Sequence, residues 1–83
     1  MHEMGIANSI LDAVRKEMAP YPGARPVKVT VRIGTMAGVD PDSLTFCFQA
    51  LVSGTEFEPM ELAVETAPAD ELELGSLELE EPS

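Results

Sequence analysis

The sequence predicts an α+β fold: a single two-layer domain with two helices packed on a three-stranded mixed β-sheet, in the order α-β-α-β-β. Two segments carry apolar residues at helical spacing, and three carry the two-residue alternation of half-buried strands. The chain has 83 residues, which suffices for one small domain. Because so small a domain buries a limited share of its surface, we also expect an oligomer or a stable complex with a partner to help stabilise it.

The first helix is predicted between Met4 and Met18, where apolar residues recur every four positions and charged residues face away. The apolar positions are Ile6, Ile10, Val14 and Met18, widened by Ala7 and Leu11. Two prolines and a glycine then end the helix, because proline lacks the backbone N–H that a helix needs. The segment 27–33 follows and alternates β-branched with polar residues, which predicts a half-buried strand.

The second helix is predicted to begin after Asp40, a good N-cap residue, with Pro41 at its first position. Its apolar face is formed by Leu44, Cys47, Phe48 and Leu51. Cys47 therefore reads as a buried structural thiol. With Val29 and Val31 of the first strand and Ile10 and Val14 of the first helix, Phe48 and Leu51 form the predicted core.

Two further strands are predicted, over 60–65 and from Leu72 to Leu79, joined by a connector at 67–70. They are expected to form a short hairpin. The leucines of the last strand change phase at Gly75-Ser76, which predicts a bulge or a bend there because one extra residue exchanges the two faces of a strand.

The charge excludes several function classes. The chain has 15 acids and 5 bases, a net charge of −10, so it would repel nucleic acid and anionic membranes. No apolar run reaches the roughly 20 residues of a membrane span, and the start does not resemble a signal peptide, which predicts a cytoplasmic location. All basic residues precede residue 33, and the rest of the chain carries only acidic charges. These acids either lie on solvated strand faces or form a surface for a basic partner protein.

The residues available for catalysis are few. The sequence has one histidine, one cysteine and no glycine-rich phosphate loop, so we expect no enzyme activity. One cysteine also rules out an internal disulfide and a multi-cysteine zinc site within the chain.

The first three residues form the candidate metal site. The Met1 amine and the His2 amide nitrogen can close a five-membered chelate ring, and the His2 amide and Nδ1 a six-membered one. Such planar nitrogen donors suit Ni(II) or Cu(II). Glu3 can offer an amide or a carboxylate for the fourth position, or a partner can fill it. The alternative is a solvated terminal histidine without a role.

The sequence resembles the HypA family, the nickel metallochaperones of [NiFe]-hydrogenase maturation. The resemblance runs in order through nearly the whole chain, and its segments are Met1-His2-Glu3-Met4, 27–34, 43–48, Gly54-Thr55, 60–65, 71–74 and 76–80. It implies a nickel site at Met1, His2 and Glu3 that holds Ni(II) transiently. The implied partners are hydrogenase maturation proteins or the hydrogenase large subunit.

One departure from the family stands out. Family members carry a zinc domain with paired CxxC motifs between the second strand and the final strands, where this chain has only the connector 67–70. We therefore expect residues 1–83 to form one HypA-like nickel-binding domain without zinc. The departure also supports an alternative: a non-catalytic interaction subunit that uses the fold as a docking surface in a hydrogenase-related complex, without metal delivery.

Overall fold

A computed structural model describes residues 2–81 and confirms the predicted α+β fold. In chain order the elements are α1 (Glu3–Met18), β1 (Arg25–Gly34), α2 (Pro41–Val52), β2 (Glu61–Ala67) and β3 (Leu72–Glu80). Both helices pack against the sheet, α1 on β1 and β3 and α2 on β2. Within residues 2–81, no helix has the length and apolar character needed to cross a bilayer.

The sheet has the strand order β2-β1-β3, with β1 parallel to β2 and antiparallel to β3. The expected hairpin of β2 and β3 is therefore wrong, because the two strands lie on opposite sides of β1. The strand with the most regular alternation of apolar residues takes the centre, where it pairs on both edges and buries Val29, Val31 and Ile33. A strand with such a β-branched face buries the most apolar area when it lies at the centre of the sheet.

The connector between β2 and β3 crosses the end of β1 at Gly34. The Gly34 N–H donates to the carbonyl oxygen of Glu71 (2.7 Å), and the Met36 N–H donates to that of Ala69 (2.8 Å). A Cβ atom on Gly34 would collide with the Ala69 carbonyl group and lie 2.6 Å from the Glu71 nitrogen. Only glycine leaves room for this crossing. Ala67 belongs to β2 and is buried, so the connector is 68–71 rather than 67–70.

The change of phase in β3 is a bulge, as predicted. Ser76 pairs with Thr30 and Leu74 pairs with Val31, so Gly75 is the extra residue on β3. The bulge returns the leucines on both sides of it to the helix-covered face. There Leu74 and Leu77 pack against the core as half-buried side chains.

One hydrophobic core lies between the helices and the sheet. Of the predicted core residues, Ile10, Val14, Val29, Val31 and Phe48 are buried. Leu51 and Cys47 are only partly buried, because the inward face of α2 is centred on Leu44, Phe48 and Val52. The thiol of Cys47 is thus half-buried at the margin of the core rather than enclosed in it.

Candidate metal site

His2 is the N-cap residue of α1 and lies outside the helix proper. Its backbone is extended (φ −86°, ψ 95°), and its carbonyl oxygen accepts the N–H of Ile6 (3.2 Å) as the first bond of the helix. A helix does not use the N–H groups of its first residues. The amide nitrogen of His2 is therefore available to a metal without the loss of a helical hydrogen bond.

The imidazole of His2 is equally available. The residue is exposed, and its side chain makes no capping hydrogen bond to α1. Because the imidazole and the amide nitrogen belong to the same residue, a chelate ring through both needs only a rotation of this side chain. Met1, the third member of the predicted site, lies outside the described residues.

Glu3 begins α1 and connects it to α2. The Asp40 N–H donates to Oε2 of Glu3 across 37 positions of sequence, at 3.3 Å. Asp40 is the N-cap of α2: its Oδ1 accepts the N–H of Asp42 (3.0 Å), and its Oδ2 accepts the hydroxyl of Ser43 (3.3 Å). The half-buried Glu3 carboxylate thus holds the start of α1 against the start of α2, with Oε1 not engaged in that bond.

Two helix N-termini therefore meet beside His2. Each carries a partial positive charge, which stabilises negative groups nearby and disfavours a bare cation, by about 0.3–1 kcal/mol for exposed charges. The first turns of both helices contain an acid, Glu3 in α1 and Asp42 in α2. A metal chelate whose charge is cancelled by a deprotonated amide together with Glu3 suits this environment better than a simple cation does.

Sequence reasoning identified Asp40 as a helix cap but missed its contact with Glu3. The capping signal is local, since Asp40 precedes a proline and an acidic turn. The contact depends on how α1 and α2 pack, and no short-range pattern reports that. Asp40 joins the surroundings of the site through its backbone N–H, while its carboxylate is engaged in capping α2.

Side chains alone do not form a group that could hold a metal ion in the part of the chain that is described. Across residues 2–81, no three His, Cys, Asp or Glu residues are grouped so as to hold a metal ion. His2 is the only histidine of the sequence, and Cys47 lies on α2 at the margin of the core. A site that uses backbone nitrogen donors at His2 stays a prediction of the sequence.

Comparison with known proteins gives a consistent family. A family described as "Hydrogenase/urease nickel incorporation, metallochaperone, hypA" matches residues 1–72. The hydrogenase maturation factor HypA of Chlorobium limicola is 45% identical over 69 residues, covering 83% of this chain and 60% of that protein.

Two further relatives agree. HypA of Geobacter metallireducens is 38% identical over 82% of this chain and 59% of its own length. HypA of Streptomyces avermitilis is also 38% identical, over 82% of this chain and 53% of its own length. This chain thus spans about 53–60% of the length of these relatives. On the match over residues 1–72, the chain belongs to the HypA family of nickel-incorporation metallochaperones.

Proposed function

We propose that this chain binds Ni(II) as cargo at Met1, His2 and Glu3 and passes it to a partner in [NiFe]-hydrogenase maturation, either another maturation protein or the hydrogenase large subunit. The observation that carries the proposal is the position of His2. It precedes α1 in an extended conformation, with an exposed side chain and an amide that the helix does not use.

The proposed donor set is the one that the sequence predicts. The Met1 amine, the His2 amide nitrogen and His2 Nδ1 supply three nitrogen donors in one plane, the arrangement that Ni(II) favours. Loss of the amide proton offsets one of the two positive charges of Ni(II), and Glu3 offsets the other. The starts of α1 and α2 disfavour a bare cation, and a neutral chelate avoids that penalty. The fourth position is left to Glu3, through Oε1 or its amide nitrogen, or to a donor from the partner.

An incompletely filled donor set suits transfer. A partner that fills the fourth position is bound to the metal before any of the other donors leaves. The bond from the Asp40 N–H engages only Oε2 of Glu3, and Oε1 lies outside that bond. The chain then carries the metal and catalyses no reaction.

The alternative, a docking subunit that delivers no metal, is not favoured, because the family match begins at residue 1 and includes the proposed nickel donors. Zinc is not part of the proposal. The sequence has one cysteine and one histidine, too few for the four-ligand site of structural zinc. A tag-free sample is expected to keep its helical signal when a chelator is added.

Calorimetric titration of Ni(II) tests the proposal on three tag-free forms: the native chain, His2→Ala, and the native chain acetylated at its N-terminus. Acetylation converts the amine into an amide and, unlike one added residue, supplies no new amine near His2. Both altered forms are expected to lose stoichiometric binding, and the native affinity is expected to fall at lower pH because protons compete for the same donors.

Asn8→Ala is the matched control, since Asn8 is exposed on α1 and away from the donors. It is expected to bind nickel as the native chain does. Thermal melts of the native, His2→Ala and acetylated forms should coincide, because neither change alters the core. Equal nickel affinity in the native, His2→Ala and acetylated forms would refute the proposal.

A further inference from the structure

An apolar groove runs along the seam between α1 and β3. It has a volume of about 420 Å³ and is bounded on the α1 side by Gly5, Ser9 and Ala13, which recur every four residues. Leu72 and Leu74 of β3 form the other wall. The Ser9 hydroxyl donates to the Gly5 carbonyl oxygen (3.1 Å) and so adds no unsatisfied donor to the groove.

The groove exists because these α1 side chains are too short to cover β3. Leu72 remains 46% exposed as a result. A second hollow of about 310 Å³ lies further along the same seam, bounded by Tyr21, Leu74 and Leu77. The two hollows share Leu74, so the open seam continues past the bulge of β3, where polar residues such as Glu17 and Ser76 also line it.

The outer edge of β3 has no strand beside it in the sheet that residues 2–81 form, because β3 pairs with β1 alone. The Gly34 N–H bonds to the Glu71 oxygen, and hydrogen-bonded pairs alternate along an antiparallel ladder. The backbone groups of Leu72 and Leu74 therefore point away from β1. These N–H and C=O groups can form hydrogen bonds with an added strand that lies beside the groove.

The charge of β3 limits which kind of partner segment can bind along its outer edge. The face of β3 opposite its leucines carries Glu73, Glu78 and Glu80, and β3 contains no base. Two of these acids form exposed ion pairs with β1, Glu73 at 3.7 Å from Arg32 and Glu80 at 3.1 Å from Arg25, and Glu78 lies opposite Lys28 in the strand pairing. All three bases lie on β1, the inner neighbour, and β3 itself adds only acids to the outer edge.

A second copy of the chain is a poor occupant. Two β3 edges brought together would place glutamates beside glutamates, between molecules of net charge −10 each. Like charges across a strand pair are destabilising. A strand with basic residues meets attraction at the same positions.

We propose that the α1–β3 groove binds a partner segment of alternating apolar and basic residues, which adds to β3 as a fourth strand. Its apolar side chains enter the groove between α1 and Leu74, and its basic side chains lie beside Glu73 and Glu78. Strand addition of this kind draws affinity from main-chain hydrogen bonds and specificity from alternate side chains.

The groove also reaches the metal site, since His2 lines its end. A segment bound there brings the partner's own donors next to the nickel. This link between docking and transfer rests on the proposed function; the docking itself does not.

Two peptides of identical composition test the occupant. One is a capped peptide of nine residues, the length of β3, that alternates leucine and lysine. The other holds the same residues at helical spacing. Calorimetry at about 0.15 M salt limits non-specific attraction to the acidic chain, which is the same for both peptides. The alternating peptide is expected to bind at least about tenfold more tightly.

Two variants with matched controls locate the binding. Ala13→Leu fills the groove and is expected to weaken the alternating peptide about tenfold, whereas Asn8→Leu, exposed elsewhere on α1, leaves it unchanged. The double variant Glu73→Gln/Glu78→Gln should weaken it similarly. Glu61→Gln/Glu65→Gln makes the same charge change on β2, at the opposite edge of the sheet, and serves as its control.

Several outcomes would overturn the proposal: equal or tighter binding of the helical peptide, no binding of either peptide, equal effects of variants and controls, or self-association of the free chain through β3. Nickel titration of the same samples separates the two proposals. His2→Ala is expected to lose nickel and keep the peptide. Peptide binding without nickel binding to the native chain would refute only the proposed metal delivery, and the converse would refute only the groove.

Discussion

The two sides of the central strand differ in how completely the helices cover them. On the β2 side, α2 directs Leu44, Phe48 and Val52 inward, and all three are buried. On the β3 side, α1 presents Gly5, Ser9 and Ala13 to the seam and leaves a groove. We call the β2 side, where α2 buries large residues, the closed side, and the β3 side, where α1 leaves a groove that reaches His2, the open side.

Side-chain size on the two helices produces this difference. Large inward residues on α2 are buried over the β2 side, and Leu62 and Val64 of β2 pack against them as half-buried side chains. Small residues on the β3-facing side of α1 cannot cover β3 in this way, although the opposite side of the same helix buries Leu11 and Val14 in the core. Substitutions on the closed side should therefore cost stability, and substitutions on the open side should not.

The largest effect is expected from Phe48→Ala on the closed side. Phe48 is completely buried, and removal of its ring should lower the free energy of unfolding by about 3–5 kcal/mol. That loss is comparable with the whole stability of a small domain, which is about 5–15 kcal/mol. Denaturant unfolding followed by circular dichroism measures it.

Phe48→Leu keeps the measurement possible if the alanine variant does not fold. It retains most of the buried volume and should cost clearly less than Phe48→Ala. A stability loss below about 1 kcal/mol for the alanine variant would show that Phe48 is not packed in the core, because surface substitutions have effects of that small size.

A second, smaller effect is expected where the two sides are joined. Gly34→Ala places a Cβ atom against the carbonyl group of Ala69, in the backbone that crosses from β2 to β3. Relief requires the connector to move away from β1, which should cost roughly 1–3 kcal/mol, as overpacking does in a core. Thermal melting of the variant measures this loss.

Gly5→Ala is the matched control for Gly34→Ala. A Cβ atom on Gly5 meets nothing within 4 Å, and alanine favours a helix by about 0.8–1.0 kcal/mol over glycine. The control should therefore raise the melting temperature while Gly34→Ala lowers it. A similar change in both variants would contradict the crossing geometry.

The sequence predicted the closed side better than the open one, for a physical reason. Phe48 and Val31 could be assigned to the core because buried faces repeat with the period of their own helix or strand. The bulge at Gly75 was predicted in the same way, from a change of phase within one strand. Local periodicity, however, does not report which strands become neighbours, and so the hairpin of β2 and β3 was expected wrongly.

The candidate site also contains contacts that local sequence patterns do not predict. His2 could be proposed as a donor because its chemistry depends on its place at the start of the chain. The bond between Asp40 and Glu3 could not be predicted, since it depends on the packing of two helices that are far apart in sequence. Gly5, Ser9 and Ala13 are visible in the sequence, but only the position of α1 over β3 turns them into a groove.

The smallest effect is expected from Leu72→Ala on the open side. Leu72 is 46% exposed, so only about half of its side chain contributes burial, and the free energy of unfolding should fall by less than about 1 kcal/mol. The same substitution removes part of the groove wall and should weaken the alternating leucine–lysine peptide severalfold. Leu44→Ala, on the closed side, should show the reverse: Leu44 is fully buried, so its loss lowers stability by about 2–5 kcal/mol, while the folded fraction still binds the peptide. If Leu72→Ala destabilised the chain as much as Leu44→Ala, β3 would be as well covered as β2, and the contrast between the two sides would fail.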